Sequence, residues 1–261
     1  MSSFWAPVGT LWWREVVRFV RQRSRLAGAF AQPLVFWLLI GGGMNHSFLP
    51  MEGSGGRSYV EYFYPGIIVM VLLFTAIFAT ISTVEDRRSG FLQGVLVAPV
   101  SRSQIVLGQA LGGTAMALMQ GTLFLLLAPF VGVALGLAGA AVAVLVMFLV
   151  SFALTSLGLL IAWRMDSTQG FHAIMNLILM PIWFLSGAVF PPAGLPAGLA
   201  WVVGLNPLTY GMAALRRAIY LDHPAMVTAL PPFLPSIAVT IAFAAAAYWA
   251  ASAAAQRSTI T

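Results

Sequence analysis

The side chains that could carry out chemistry in this chain are few, and they do not cluster. The three histidines, His46, His172 and His223, lie in separate segments, and no two of them have the spacing of metal ligands. We interpret them as ordinary histidines near the ends of apolar segments. The sequence therefore predicts no metal site and no cofactor on this chain.

All thirteen basic residues are arginine, and cysteine is absent. A phosphate-binding loop of the form G-x-x-x-x-G-K-[ST] requires a lysine, as does catalysis through a Schiff base. The absence of cysteine excludes disulfide bonds. A nucleotide-binding loop of this type and a Schiff-base lysine are therefore excluded.

A serine hydrolase embedded in a membrane is one alternative for a chain of this composition. Its nucleophile would stand in a G-x-S-G type of motif. Ser186 instead follows Phe184 and Leu185, and Ser54 lies in a polar segment. We therefore predict no catalytic residue.

The elements that position all these residues are apolar segments. Hydrophobic residues make up 60% of the 261 and charged residues only 8%, against roughly 25% charged in a soluble domain. Uncharged runs cover 62–84, 103–163, 168–215 and 223–256, and each reaches the ~20 residues that a membrane-crossing helix needs. The sequence predicts an all-α polytopic membrane protein forming a single domain over residues 1–261.

Six spans are predicted between residues 26 and 252. The run 103–163 is too long for one helix and must hold two spans, with a turn at 129–139. Pro181 is expected to kink the fifth span. The predicted spans are 26–44, 62–84, two within 103–163, 171–190 and 233–252.

Residues 1–25 are expected to contain an amphipathic helix that lies along the membrane interface. Its apolar side would rest in the acyl region and its arginines among anionic lipid head groups. The apolar side carries Trp12, Trp13, Val16, Val17, Phe19 and Val20. The opposite side carries Arg14, Arg18, Arg21 and Arg25.

The positions of the arginines predict the orientation. With the N-terminus in the cytoplasm, ten arginines fall inside and three outside, which favours both termini inside. The net charge of +6 could suggest nucleic-acid binding, but the arginines cluster at the ends of spans, so we predict no nucleic-acid partner.

Residues 193–221 are too interrupted by Pro and Gly to form one span. We expect two short re-entrant helices in the outer leaflet, with Asn206 capping a helix that begins at Pro207. Arg216 and Arg217 are the two arginines that fit the orientation poorly. We expect them to reach outer head groups from this segment.

The stretch VEDRRSGFLQGVLVAPVSR, residues 84–102, gathers charges between two uncharged runs. A short amphipathic helix is expected here, beginning after the acidic pair Glu85 and Asp86 and ending before Pro99. Ser101 with Gln104 has the pattern of a capping box opening the third span. The helix would present one apolar face to the cytosol, where a soluble protein could bind it: Phe91, Leu92, Val95 and Leu96.

An ion-coupled carrier or channel is the alternative function. It would require an ionisable residue inside the bilayer, and none of the seven acidic residues falls in the middle of a predicted span. Asp166 and Arg164 occupy the short turn WRMDSTQG between spans four and five. We expect them to pair or to anchor topology, and a second docking contact is the alternative.

Two motifs, EDRRSGFLQGVLVAPVSRSQIVLG and MPIWFLSGAVFPPAGLPAGLAWVVGLNPLTYGMAALRRAIY, together with the six-span layout, resemble the membrane subunits of ABC-2 type exporters. The resemblance covers nearly the whole chain. It implies a permease subunit for a lipophilic or amphipathic substrate, located in the inner (plasma) membrane. It also implies two copies of a separate ABC ATPase subunit carrying ATP and Mg, and a second permease subunit in a homodimer or heterodimer.

The resemblance also implies roles for particular residues. The 85–99 segment would be the coupling helix that docks on the ATPase, although Arg87 and Arg88 stand where an acidic-then-Lys pattern is common. Residues 5–25 would be the interfacial connecting helix, and residues 194–221 the re-entrant outer helices before the sixth span. The implied docking residues are Glu85, Asp86, Arg87, Arg88, Phe91, Leu92, Val95 and Leu96. The implied residues of the outer segment are Asn206, Pro207, Tyr210 and Arg216.

Overall fold

The computed structural model of the chain describes residues 4–44, 58–97, 99–191 and 195–257. These residues form helices joined by short turns, and no strand occurs among them. The eleven α-helices are α1 (Trp5–Arg21), α2 (Arg23–Phe36), α3 (Gly42–Met44), α4 (Tyr59–Arg88), α5 (Phe91–Leu96), α6 (Arg102–Leu125), α7 (Leu137–Ala162), α8 (Thr168–Trp183), α9 (Ala197–Leu205), α10 (Pro207–Ile219) and α11 (Phe233–Arg257).

Among the described residues, four helical segments are long and apolar enough to cross a membrane. Three of them are α4, α7 and α11, and the fourth is α8 with the π-turn that extends it to Ala188. The pair α9 and α10, bent by 79°, makes a fifth if the two helices form one broken span. All six predicted spans coincide with helices, and the four segments correspond to the second, fourth, fifth and sixth.

The other two predicted spans form helices that are less suited to crossing. The first coincides with α2, a π-turn at Trp37–Gly41 and α3, whose apolar stretch Ala31–Met44 is short. The third coincides with α6, in which glycines and glutamines dilute the apolar residues. The six-span layout therefore stays a prediction.

The helix α4 forms the centre of the bundle, because nearly all of its side chains from Tyr59 to Val84 are buried. It packs against α6, α7 and α8, and α11 packs on α7. Close approach depends on small residues. A methyl group placed on Gly113 of α6 would lie 2.6 Å from Thr155 Cγ2 of α7, so the two helices contact each other almost at the backbone.

The bundle has two ends, which we call the α1 end and the opposite end. At the α1 end, α1 packs along α6, and its side chains reach the last turn of α4. At the opposite end, where α4 begins, lies a π-turn at Phe184–Ala188, which we call the break. Gly187 there has φ 78°, in the left-handed region that favours glycine. The kink predicted at Pro181 thus occurs one turn and a half later.

Candidate functional site

The acidic pair belongs to α4 and not to the short helix. α4 continues to Arg88, so Glu85 and Asp86 lie in its last turn. Gly90, with φ 75°, then turns the chain into α5, a helix of six residues. The short helix does begin after the acidic pair and end before Pro99, as predicted. The prediction that the pair stabilises the start of this helix is wrong, because both acidic residues belong to α4.

Glu85 and Asp86 bind the interfacial helix instead. Arg14 Nη2 donates to Asp86 Oδ2 at 2.7 Å, and Arg18 Nη1 donates to Asp86 Oδ1 at 2.7 Å. Arg18 Nη2 also reaches Glu85 Oε2 at 2.8 Å. The prediction that Arg14 and Arg18 extend among lipid head groups is wrong, because carboxylates of α4 take up their guanidinium groups.

Sequence reasoning missed Glu15, a buried carboxylate at the centre of this contact. Glu15 is 5% exposed, accepts hydrogen bonds from Arg14 at 2.9 Å and from Ser82 at 3.0 Å, and lies against Gly112 of α6. Burial raises the pKa of its carboxyl group, and the neighbouring Arg14 opposes this shift. The signal was present in the sequence, since the residues of α1 that pack on the bundle recur at helical spacing: Val8, Leu11, Glu15 and Phe19.

The apolar residues of α5 divide between two faces. Leu92 is 4% exposed and packs with Ile105 and Trp163, and Val95 packs against the same cluster. Phe91 is 43% exposed, with the Arg14 guanidinium 3.9 Å from its ring centroid. The prediction of one apolar face turned to the cytosol is therefore wrong for Leu92 and Val95. The side chain of Leu96 lies outside the described part of the chain.

The outward surface of the 85–99 segment is formed by residues spaced three apart. Arg88, Phe91, Gly94 and Val97 are all exposed, Val97 to 80%. Ser101 and Gln104 form the predicted capping box at the start of α6, which fixes the far end of the segment. The segment is thus attached to the bundle along one face and open along the other.

Arg87 also ties the segment to the bundle. Its Nη2 donates to the carbonyl of Trp163 at 2.6 Å, and its Nη1 lies 3.1 Å from Asp166 Oδ1. Asp166 therefore pairs with Arg87 rather than with Arg164. Since the Asp166 side chain is largely exposed, this ion pair contributes little by itself.

The side predicted to face lipid is divided in the structure, because Phe19 is only 4% exposed. Trp12, Trp13 and Arg21 are exposed. This placement leaves them available to a membrane interface, and their contact with lipid stays a prediction. The side chain of Arg25 lies outside the described part.

At the opposite end, the predicted cap of α10 is confirmed. Asn206 accepts a hydrogen bond from the backbone N–H of Leu208 at 3.0 Å, and Pro207 is the first helical residue. Asn206 also donates to the carbonyl of Ile182 at 2.7 Å. Tyr210 donates to the carbonyl of Gly204 at 3.0 Å, which connects α10 back to α9.

The two arginines of α10 do not reach outward. Arg216 is 3% exposed, and its Nη2 donates to the carbonyls of Gly187 at 2.8 Å and of Tyr62 at 3.2 Å. Arg217 donates to the carbonyls of Pro231 and Leu230, each at 2.7 Å. The prediction that they contact outer head groups is wrong, because backbone carbonyls freed at turns bind both guanidinium groups.

Within the described residues, no group of three or more His, Asp or Glu side chains could hold a metal ion. His172 packs against the rings of Phe78 and Phe171, and His223 lies in a turn. His46 lies outside the described residues.

An all-helical chain with four or five segments able to cross a bilayer is an integral membrane protein. The family model described as ABC-2 type transporter matches residues 7–220, so the chain belongs to that family. The resemblance noted in the sequence is confirmed.

Three curated relatives illustrate the family. A "Putative transport permease ycf38" of Cyanophora paradoxa is 27% identical over 205 residues, covering 78% of this chain and 70% of the relative. A "Nodulation protein J" of Rhizobium leguminosarum bv. trifolii is 29% identical over 226 residues, covering 84% of each chain. A "Probable multidrug ABC transporter permease YbhR" of Escherichia coli strain K12 is 25% identical over 197 residues, covering 73% of this chain and 52% of the relative. The chain is therefore a membrane component of a transport system.

Proposed function

We propose that this chain is the permease subunit of an ATP-driven exporter, and that a separate ABC ATPase docks on the outward surface of the 85–99 segment. The α1 end is then cytoplasmic, with six spans and both termini inside. Two permease subunits and two ATPase subunits form the transporter, and ATP and Mg bind to the ATPase. A lipophilic or amphipathic substrate suits a path between apolar helices of the inner membrane.

One observation carries this proposal. The 85–99 segment is held on the bundle by Leu92, by Arg87 and by the ion pair of Asp86 with Arg14, while Phe91 and Val97 remain exposed outside the spans. A mobile loop could not transmit a displacement of the ATPase, but a segment attached to α4, α6 and α1 can. The exposed aromatic ring beside arginines has the composition of a protein-binding hot spot.

The test separates docking from folding. The permease is co-expressed with its candidate ATPase, purified and reconstituted, and ATP hydrolysis and export are measured. We expect Phe91→Asp and Val97→Asp each to weaken ATPase association about tenfold or more, because a charge replaces an apolar contact at the docking surface. Both variants should insert and fold normally, since the two side chains are exposed.

Two further variants serve as controls. Phe130→Asp changes an exposed phenylalanine at the opposite end and should leave ATP-stimulated export intact. Leu92→Asp places a charge in a buried cluster and should instead reduce the amount of folded permease. Normal ATPase association by both Phe91→Asp and Val97→Asp would contradict the docking surface. Export driven by an ion gradient without any ATPase would contradict the proposed function as a whole.

A further inference from the structure

Side chains from other elements bind backbone carbonyls in the break and directly beside it. The bilayer core offers no water to pair a backbone group, so donors from the protein stabilise a break within a span. Four carbonyls accept such bonds, and all the donors come from α4, α10 or the turn before α10. Ile182 O accepts from Asn206, Leu185 O from Thr209, Gly187 O from Tyr62 and Arg216, and Val189 O from Tyr59.

The break also contacts α4 at the backbone. A methyl group on Gly66 would lie 2.6 Å from the carbonyl oxygen of Ala188, and Trp183 Nε1 donates to the Gly66 carbonyl at 2.9 Å. This contact leaves no space between α4 and the break. The bundle is therefore closed at this point.

Arg216 differs from the other donors because it carries a charge. It is 3% exposed, its guanidinium carbon lies 3.9 Å from the Tyr62 ring centroid, and its buried Nε has no hydrogen-bond partner. Among the described residues no carboxylate pairs with it, in contrast to Arg14 and Arg18. Burying a charge on carbonyls alone is costly, so this contact is more easily exchanged for water than an ion pair is.

A neutral side chain could satisfy the same carbonyl. The Tyr62 hydroxyl already donates to Gly187 O at 2.9 Å, so the charge of Arg216 is not needed to pair that oxygen. What Arg216 adds is a link between three elements, since it belongs to α10 and binds the break and the first turns of α4. Displacement of α10 must therefore move the break or release Arg216.

We propose that Arg216 is a positioning residue for transport, whose guanidinium holds the break in α8 closed against α4, and whose release opens that end of the bundle to water. This inference rests on the proposed function only for the claim that release accompanies transport. The closed contact itself is a property of the permease alone. The two claims are therefore tested in separate arms of one experiment.

The first arm uses the purified permease in nanodiscs without an ATPase. Because the chain has no cysteine, Ser186→Cys places one thiol in the break at a position that is 2% exposed. The measurement is the rate of its reaction with N-ethylmaleimide. We expect Arg216→Met to accelerate labelling about tenfold, and Arg216→Lys, which keeps a charged donor, to restore most of the slow rate.

Arg217→Met is the matched control. Arg217 is the neighbouring arginine of α10, and it binds carbonyls of Leu230 and Pro231 rather than the break. It should leave the labelling rate unchanged. If Arg216→Met does not yield folded protein, Arg216→Gln, whose neutral amide can still donate to a carbonyl, should accelerate labelling two- to threefold. Rates for Arg216→Met or Arg216→Gln equal to that of Arg217→Met would overturn the proposal.

The second arm adds the ATPase. Under ATP, the Ser186→Cys permease should label faster than without nucleotide, in step with export. Unchanged labelling during ATP-driven export would overturn the claim that Arg216 is released in transport. Absence of ATP-driven export would contradict the proposed function, and the first arm would still decide whether Arg216 holds the break closed.

Discussion

The two ends of the bundle bind arginine in different ways. At the α1 end, Arg14 and Arg18 are partly exposed and share the carboxylate of Asp86. At the opposite end, Arg216 is buried on backbone carbonyls and a tyrosine ring. A carboxylate neutralises the guanidinium charge, whereas carbonyls only orient dipoles toward it. We infer that the α1 end stays assembled while the opposite end can open.

The largest expected effect is a loss of stability when a glycine at a close helix contact is replaced, and one such glycine is compared at each end. Gly66→Ala should lower the free energy of unfolding by about 3 kcal/mol, because the new methyl group meets the backbone of the break, which is held from several sides. Gly112→Ala should cost less, about 1 kcal/mol, because the new methyl group meets the side chain of Glu15 rather than backbone atoms. Unfolding in mixed micelles with increasing SDS, followed by circular dichroism, measures both losses. Equal losses would contradict the tighter backbone contact at the break.

An intermediate effect is expected from the shared carboxylate. Asp86→Asn removes the charge that pairs with both arginines and should lower the free energy of unfolding by about 2 kcal/mol. Glu85→Gln should cost less than about 0.5 kcal/mol, because that carboxylate is partly exposed and contributes little. The same SDS titration measures both variants. A loss for Glu85→Gln as large as that for Asp86→Asn would mean that the ion pairs do not depend on burial.

The smallest effect concerns pH and is specific to the α1 end. The pKa of Glu15 is raised in the folded state by burial, so the folded chain binds a proton more tightly there than the unfolded chain does. Its contribution to stability is complete below pH about 4.5, the ordinary glutamate value, and is lost as the pH rises through the folded pKa. Glu15→Gln removes the titrating group. The free energy of unfolding of this variant, relative to that of the native chain, should therefore increase with pH. A difference that is constant between pH 4 and 8 would contradict the raised pKa.

Features that depend on neighbouring residues were predicted correctly from the sequence. The capping box of Ser101 with Gln104 and the cap at Asn206 each involve residues two or three positions apart, so their geometry follows from local spacing. The faces of α5 were not predictable in the same way. A six-residue helix makes fewer than two turns, so its periodicity could not indicate that Leu92 packs inward and Phe91 outward.

The amino-acid sequence is sufficient to show that the chain is helical, that it lies in a membrane and that it resembles ABC-2 type permeases. These conclusions depend on composition, on the length of apolar runs and on short motifs, which packing does not change. The partner of each arginine, in contrast, became known from the folded structure. Arg14 meets Asp86 across 72 positions, and Arg216 meets Gly187 across 29. In an apolar chain a guanidinium group binds whichever acceptor the packing brings within reach, and that acceptor is set by how the helices pack rather than by their spacing in the sequence.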